Sequence, residues 1–176
     1  PLVFEQARAI AKLGRSSSDE LAAAVRERLG PIDLLVNNAG LGSPTPLHET
    51  DDATLDLFLD VMLRAPFRLC REAIAHMGEG GCVVNVTSTF AMIGGKRGGP
   101  YSAAKGGLRS LTEHMAVEYG PRGIRSNCVA PGVTMTDMVR HRFEDETFKR
   151  VNVETTPYPR LAEAEDLANV IAFLCS

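Results

Sequence analysis

Three polar residues have the types and spacing to do chemistry: Ser88, Tyr101 and Lys105. Tyr101 and Lys105 stand four apart where a helix should begin, so their side chains share one face. A phenol beside an ammonium is suited to moving a proton. A free tyrosine titrates near about 10, and a neighbouring positive charge stabilises its phenolate. Bringing such a phenol to about 7 takes about 4 kcal/mol, at about 1.36 kcal/mol per unit. A close ammonium in a dry cleft is of the right order to supply it. Ser88 offers a hydroxyl that can donate to an oxygen on which charge develops. Each feature alone also has a plainer meaning. Pairs such as Tyr101 and Lys105 are common on amphipathic helices, and a serine after a strand is routine.

The elements around these residues decide between the two meanings. Ile32 to Val36 is a short apolar run after Gly30-Pro31, and it fits a buried parallel strand. It leads into the turn Asn37-Asn38-Ala39-Gly40. Cys82 to Val86 is a second such run and leads into Thr87-Ser88-Thr89. Ile124 to Val129 is a third and ends at Ala130-Pro131-Gly132. Helical patterns separate them, over 21–29, about 50–76 and about 101–119, with a last helix from about Glu163. Ser16 to Glu20 reads as a polar loop that ends in helix-capping residues, and 2–13 as a short amphipathic helix or a degenerate strand. Pro66 should kink the long helix and deprive the Met62 carbonyl of its partner. Strand and helix in alternation predict an α/β fold, a doubly wound parallel sheet. In such sheets ligands sit at the carboxyl ends of the strands. The turns at Asn38, Ser88 and Pro131-Gly132 should therefore converge on one crevice.

Composition narrows the function. The 176 residues, 44% hydrophobic, suit one globular domain spanning 1–176. A net charge of -3 argues against a nucleic-acid binder. Lys96-Arg97, the most basic stretch, reads as a solvated turn. Cys70, Cys82, Cys128 and Cys175 are far apart and suggest neither a zinc site nor a disulfide framework. With no ligand spacing among the histidines, no metal is expected. No apolar run reaches membrane-spanning length and no leader peptide is visible, so a reducing cytoplasmic setting is expected. Pro1 at the start and a helical pattern running to Ser176 suggest that both ends are cut.

Taken together, the motifs resemble the short-chain dehydrogenase/reductase family, in general pattern its 3-oxoacyl-carrier-protein reductase and sugar or steroid dehydrogenase members. Ser88 is followed thirteen positions later by Tyr101-Ser102-Ala103-Ala104-Lys105, the family's serine and Tyr-x-x-x-Lys. Asn37-Asn38-Ala39-Gly40 resembles its motif after the fourth strand. Pro131-Gly132-Val133-Thr134-Met135-Thr136 resembles its Pro-Gly segment, and Thr156-Pro157-Tyr158-Pro159-Arg160-Leu161 its Thr-Pro-x-x-Arg stretch. The resemblance covers about 30–176. It implies a Rossmann-like fold and an oxidoreductase that moves hydride between NAD or NADP and a small-molecule ketone or secondary alcohol. It assigns Tyr101 as general acid/base. Lys105 would tune it and hold the nicotinamide ribose, and Ser88 would bind the substrate oxygen. Asn38, Ala39 and Gly40 would lie along the cofactor's centre, where a side chain on Gly40 would block close backbone approach. Pro131, Gly132, Val133 and Thr134 would cover the nicotinamide. The helices near 52–77 and 101–119 look like the family's dimer-forming pair, which implies a homodimer or homotetramer.

The chain departs from the family in three places. Nothing in 1–30 matches the family's phosphate loop, Thr-Gly-x-x-x-Gly-x-Gly, so this part is atypical or truncated and leaves NAD against NADP open. The final strand expected after 176 is missing, so the sheet is incomplete and should show exposed edges. The family's asparagine on the long helix is replaced by Met62. Its carbonyl, opposite Pro66, is a candidate to hold a water that links Lys105 to solvent; packing alone is the alternative. These departures keep a second reading open, a non-catalytic fragment that acts as a binding or oligomerisation module. A third keeps the fold and changes the chemistry, as in epimerases or dehalogenating lyases. Met135, Met138, Phe143 and Phe148 fit an apolar substrate lid or plain helix packing.

Overall fold

A computed structural model of the chain describes residues 16–42, 45–158 and 160–176. The helix or strand expected over 2–13 lies outside them. The first described element is helix α1 (Ser16–Leu29). Ser16 to Glu20, expected as a loop, form its first turns. The helix stops at Gly30, whose φ of 91° is left-handed and whose N–H bonds the Arg26 carbonyl at 3.1 Å.

Strands β1 (Leu34–Asn37), β2 (Cys82–Val86) and β3 (Arg125–Val129) form one parallel sheet in that order. Leu34 stands opposite Cys82 and Asn37 opposite Asn85. Cys82 stands opposite Arg125 and Val86 opposite Val129. The central strand β2 is buried along its whole length, as its valine-rich run requires. β1 departs from expectation. Leu34 is 51% exposed and Val36 38%, because β1 is an edge of the sheet among the described residues.

Alternation along β2 sends its side chains to two faces. Val83 packs with Cys70, Ala73, Ile74, Met77, Met115 and Ile124, while Asn85 bonds Thr112 on the same side. Cys82 faces the other side, where its thiol donates to the Leu174 carbonyl at 3.2 Å. Helices therefore cover both faces, the doubly wound arrangement. Met115 and Thr112 belong to α4 (Gly99–Tyr119), and Leu174 to α7 (Ala164–Cys175).

The single helix expected over about 50–76 is helical throughout from Asp52 to Ile74, in three segments of differing pitch. α2 (Asp52–Leu59) starts at Asp51, whose carboxylate accepts from the Thr54 N–H at 2.7 Å. A π-helical turn follows over Asp60–Arg64, with the Ala65 N–H bonded five residues back to the Asp60 carbonyl. α3 (Ala65–Ile74) then carries Pro66 in its first turn. The irregularity in the helix thus lies just upstream of Pro66. Pro66 lies inside this continuous helix and offers no N–H to the carbonyls one turn before it, and the wide turn gives its ring room.

Beyond β3, strand β4 (Thr134–Met135) pairs in parallel with β5 (Ala162–Glu163), a contact that the sequence did not suggest. Between them lie α5 (Asp137–Arg140) and α6 (Glu146–Glu154). Here Phe143 and Phe148 pack edge to face, 5.2 Å between ring centroids. No described helix is long and apolar enough to cross a membrane.

Candidate active site

The three turns converge. Past the end of β2 the pairing with β3 continues: the Thr87 N–H and hydroxyl both donate to the Val129 carbonyl, at 2.8 and 3.0 Å. Next, the Thr89 N–H donates to the Pro131 carbonyl at 3.0 Å. Ser88 and Pro131 are thereby held side by side at the carboxyl edge, next to the exit of β1.

Ser88 is buried and extended, with φ -166° and ψ 158°. Its Oγ accepts from the Phe90 N–H at 3.2 Å and caps the short helical turn Thr89–Ala91. Used as an acceptor there, the hydroxyl keeps its own hydrogen to donate. Tyr101 sits in the first turn of α4. Its ring meets Phe90 edge to face at 6.2 Å and packs on a cluster of Phe58, Val61, Met62 and Ala104.

Lys105, one turn further on, is 3% exposed. Its Nζ donates to the Val86 carbonyl at 2.6 Å and lies 6.0 Å from the centroid of the Tyr101 ring. Burial is the cause that lowers its pKa from 10.5 to about 8. An ammonium has three donors, and among the described residues Lys105 uses one of them in a hydrogen bond. The structure thus brings Ser88, Tyr101 and Lys105 together, with a hydroxyl donor, a phenol and a buried ammonium on neighbouring elements.

The remaining expected residues line the same edge. Asn38 is exposed, and Ala39 and Gly40 are half-buried. Gly132 is exposed, and a Cβ built there would meet nothing within 4 Å. Pro131 and Val133 are half-buried. Thr134 is buried, with its hydroxyl donating to the Gly132 carbonyl at 3.3 Å. An open glycine and an ammonium with donors to spare fit a flat ring joined to a hydroxylated sugar. Met62, where the family places asparagine, is fully buried, and its sulfur accepts from the Leu41 N–H at 3.4 Å. It steadies the loop just after Gly40.

Sequence reasoning missed a buried ladder beneath the site. Asn37 donates to the Asn85 Oδ1 at 2.8 Å, and Asn85 donates to the Thr112 hydroxyl at 2.9 Å. Thr112 in turn donates to the Leu108 carbonyl at 2.7 Å. The ladder ties β1, β2 and α4 together, and Thr112 lies two turns beyond Lys105. An asparagine inside the run Val83-Val84-Asn85-Val86 was the available signal, since a buried amide needs partners. Asn37 also donates to the Cys70 sulfur at 3.3 Å, yet burial pushes that thiol up to about 12, so it is inert as a nucleophile.

The sequence profile of the family described as Enoyl-(Acyl carrier protein) reductase matches residues 14–176. The chain is similar to the A-factor type gamma-butyrolactone 1'-reductase (1S-forming) of Streptomyces virginiae, 37% identical over 155 residues, 85% of this chain and 60% of that protein. Its fold is similar to a crystal structure titled short-chain dehydrogenase/reductase SDR, glucose/ribitol dehydrogenase, from Brucella melitensis. There the TM-score is 0.82 at 33% identity, over 92% of this chain and 64% of that one. A gluconate 5-dehydrogenase from Burkholderia cenocepacia J2315 in complex with NADP and tartrate gives a TM-score of 0.87 at 28% identity, over 95% of this chain and 66% of that one. The chain thus spans 60% of the length of the Streptomyces reductase.

Proposed function

The chain belongs to the short-chain dehydrogenase/reductase family, and from that premise we propose that it works in hydride transfer between NAD or NADP and a small-molecule ketone or secondary alcohol. The observation that carries this is Lys105. Burying an ammonium without a carboxylate is costly, and packing alone gives no reason for it. Its place beside Tyr101, at the mouth of the sheet, gives it a chemical reason.

When bound, the nicotinamide dinucleotide supplies or accepts the hydride. The chain's own residues handle the proton and the oxygen. Ser88 donates its free hydrogen to the substrate oxygen and fixes the carbonyl against the Tyr101 hydroxyl. Tyr101 gives the proton in reduction and takes it back in oxidation. The Lys105 ammonium holds positive charge beside the phenol as the proton leaves, and its spare donors suit the ribose hydroxyls. Asn38, Ala39 and Gly40 would lie along the middle of the dinucleotide, and Pro131 to Thr134 over the nicotinamide. The family's phosphate loop has no counterpart in the sequence. In this reading, residues 16–176 hold the nicotinamide half.

Two further expectations join the proposal. Pairing of chains through α2, α3 and α4 is supported by apolar side chains that these helices leave in solvent, Leu57, Phe67 and Val117. Four free thiols fit a reducing cytoplasm.

The test is a fluorescence titration of the chain with NADH and with NADPH, followed by turnover of a panel of ketones by the wild type and Tyr101→Phe. Saturable binding that Tyr101→Phe keeps, with turnover lost by about 100-fold or more, is the expected result. Undiminished turnover by Tyr101→Phe would overturn the assignment of the proton.

A further inference from the structure

We propose that Arg160 and Asp166 are positioning residues, whose clasp holds β5 against β4 and so sets the affinity of the crevice for the nicotinamide end of the cofactor. The inference rests on the assignment of Pro131 to Thr134 made above.

That segment is fixed from two sides. Upstream, the Thr89 N–H holds the Pro131 carbonyl at 3.0 Å. Downstream, the segment runs into β4, where Thr134 stands opposite Ala162 and Met135 opposite Glu163. A parallel pair of two residues per strand has little stability of its own. Something must hold β5 in place.

The clasp does so. The Arg160 Nη1 donates to the Asp166 Oδ2 at 2.6 Å, and its Nη2 to Oδ1 at 2.8 Å. The same Oδ2 accepts from the Glu163 N–H at 2.8 Å, one half of the capping box that starts α7. Nη1 also donates to the Leu161 carbonyl at 3.0 Å, and the guanidinium lies 5.6 Å from the Tyr158 ring centroid. One carboxylate thus closes a ring of bonds around the two residues of β5. The far end of α7 is tied to the main sheet, with the Arg125 Nη1 on the Leu174 carbonyl at 2.5 Å and its Nη2 on the Ser176 carbonyl at 3.3 Å. α7 is therefore anchored to the main sheet at its far end, and the clasp joins its near end to β5 and so to β4.

An isolated ion pair this exposed contributes little to stability. The effect expected here is local. A fork-shaped, two-bond contact ties Arg160 and Asp166 to Leu161 and Glu163, and lysine cannot reproduce it. When the downstream attachment loosens, the segment spends less time in the binding geometry, and the apparent affinity falls by the same fraction.

The experiment compares the wild-type chain with Arg160→Lys and Asp166→Asn by amide hydrogen exchange, by NADPH and NADH titration, and by urea unfolding. The expected result is exchange about tenfold faster in β4 and β5, dissociation constants raised about fivefold, and an unchanged global midpoint. Faster exchange with unchanged affinity overturns the proposal, as does unchanged exchange. Global unfolding of both variants would overturn a local role. If the wild type binds neither dinucleotide, the cofactor assignment itself fails and this proposal with it. If the wild type binds and both variants match it, only the clasp is refuted.

Discussion

Replacing Lys105 by methionine should change how stability depends on pH. In the cofactor-free chain the lysine is 3% exposed, and burial lowers its pKa from 10.5 to about 8. The unfolded chain therefore holds a proton on this lysine over a range of pH in which the folded chain has lost it. Stability must rise with pH through that window, between about 8 and 10.5. The difference of 2.5 units corresponds to about 3 kcal/mol at about 1.36 kcal/mol per unit. Below the folded value the lysine is charged in both states and its burial cost is fully present. Cys70 acts with the opposite sign. Its thiol rises from 9.0 to about 12, so the folded state keeps a proton that the unfolded state releases, and stability falls through that range. Lys105→Met leaves Cys70 in place, so the difference between wild type and variant isolates the lysine. The assay is urea unfolding of both proteins in steps from about pH 7 to about pH 10.5, followed by circular dichroism. The wild type should gain about 3 kcal/mol relative to the variant across the window. Parallel profiles would refute the reasoning, because they would mean that the ammonium remains hydrated or paired in the folded chain. The comparison at one pH is less telling, since methionine also leaves the Val86 carbonyl without its donor at a cost of about 1–3 kcal/mol.

Ser88→Ala removes both the cap on Thr89–Ala91 and the hydroxyl offered to substrate. It should cost about 1 kcal/mol in stability and about 100-fold in kcat, read by unfolding and by steady-state rates. Met62→Ala empties a fully buried site in the π-helical turn and should destabilise by about 2–5 kcal/mol in urea titrations. Thr112→Val keeps the shape but strands the Asn85 amide, and should cost about 1–3 kcal/mol. A loss near zero would mean that water replaces the hydroxyl.

The sequence by itself determined what depends on neighbours along the chain. Tyr101 and Lys105 share a face because the helical repeat brings residues four apart together, wherever the helix lies. The turns after β1, β2 and β3 open at one edge because parallel strands all point the same way. The family followed from several motifs in one order, a combination that separate packing needs do not produce. The end of α1 at Gly30 was readable for a local reason too, since the left-handed backbone there favours glycine.

Tertiary structure decided everything that needed a partner distant in the chain. No periodicity says that the Lys105 ammonium rests on the Val86 carbonyl, nineteen residues away, or that Asn37, Asn85 and Thr112 form one ladder. The apolar run of β1 looks like that of β2, and only its place at the edge exposes Leu34 and Val36. Pro66 announced a disturbed helix, but only the structure places a π-helical turn at Asp60–Arg64. The β4–β5 pair joins residues about thirty apart through two positions each, too short a run to carry a strand signal. In each case the deciding energy lies between segments that meet only after the chain has folded, so local pattern contains the groups but not their partners.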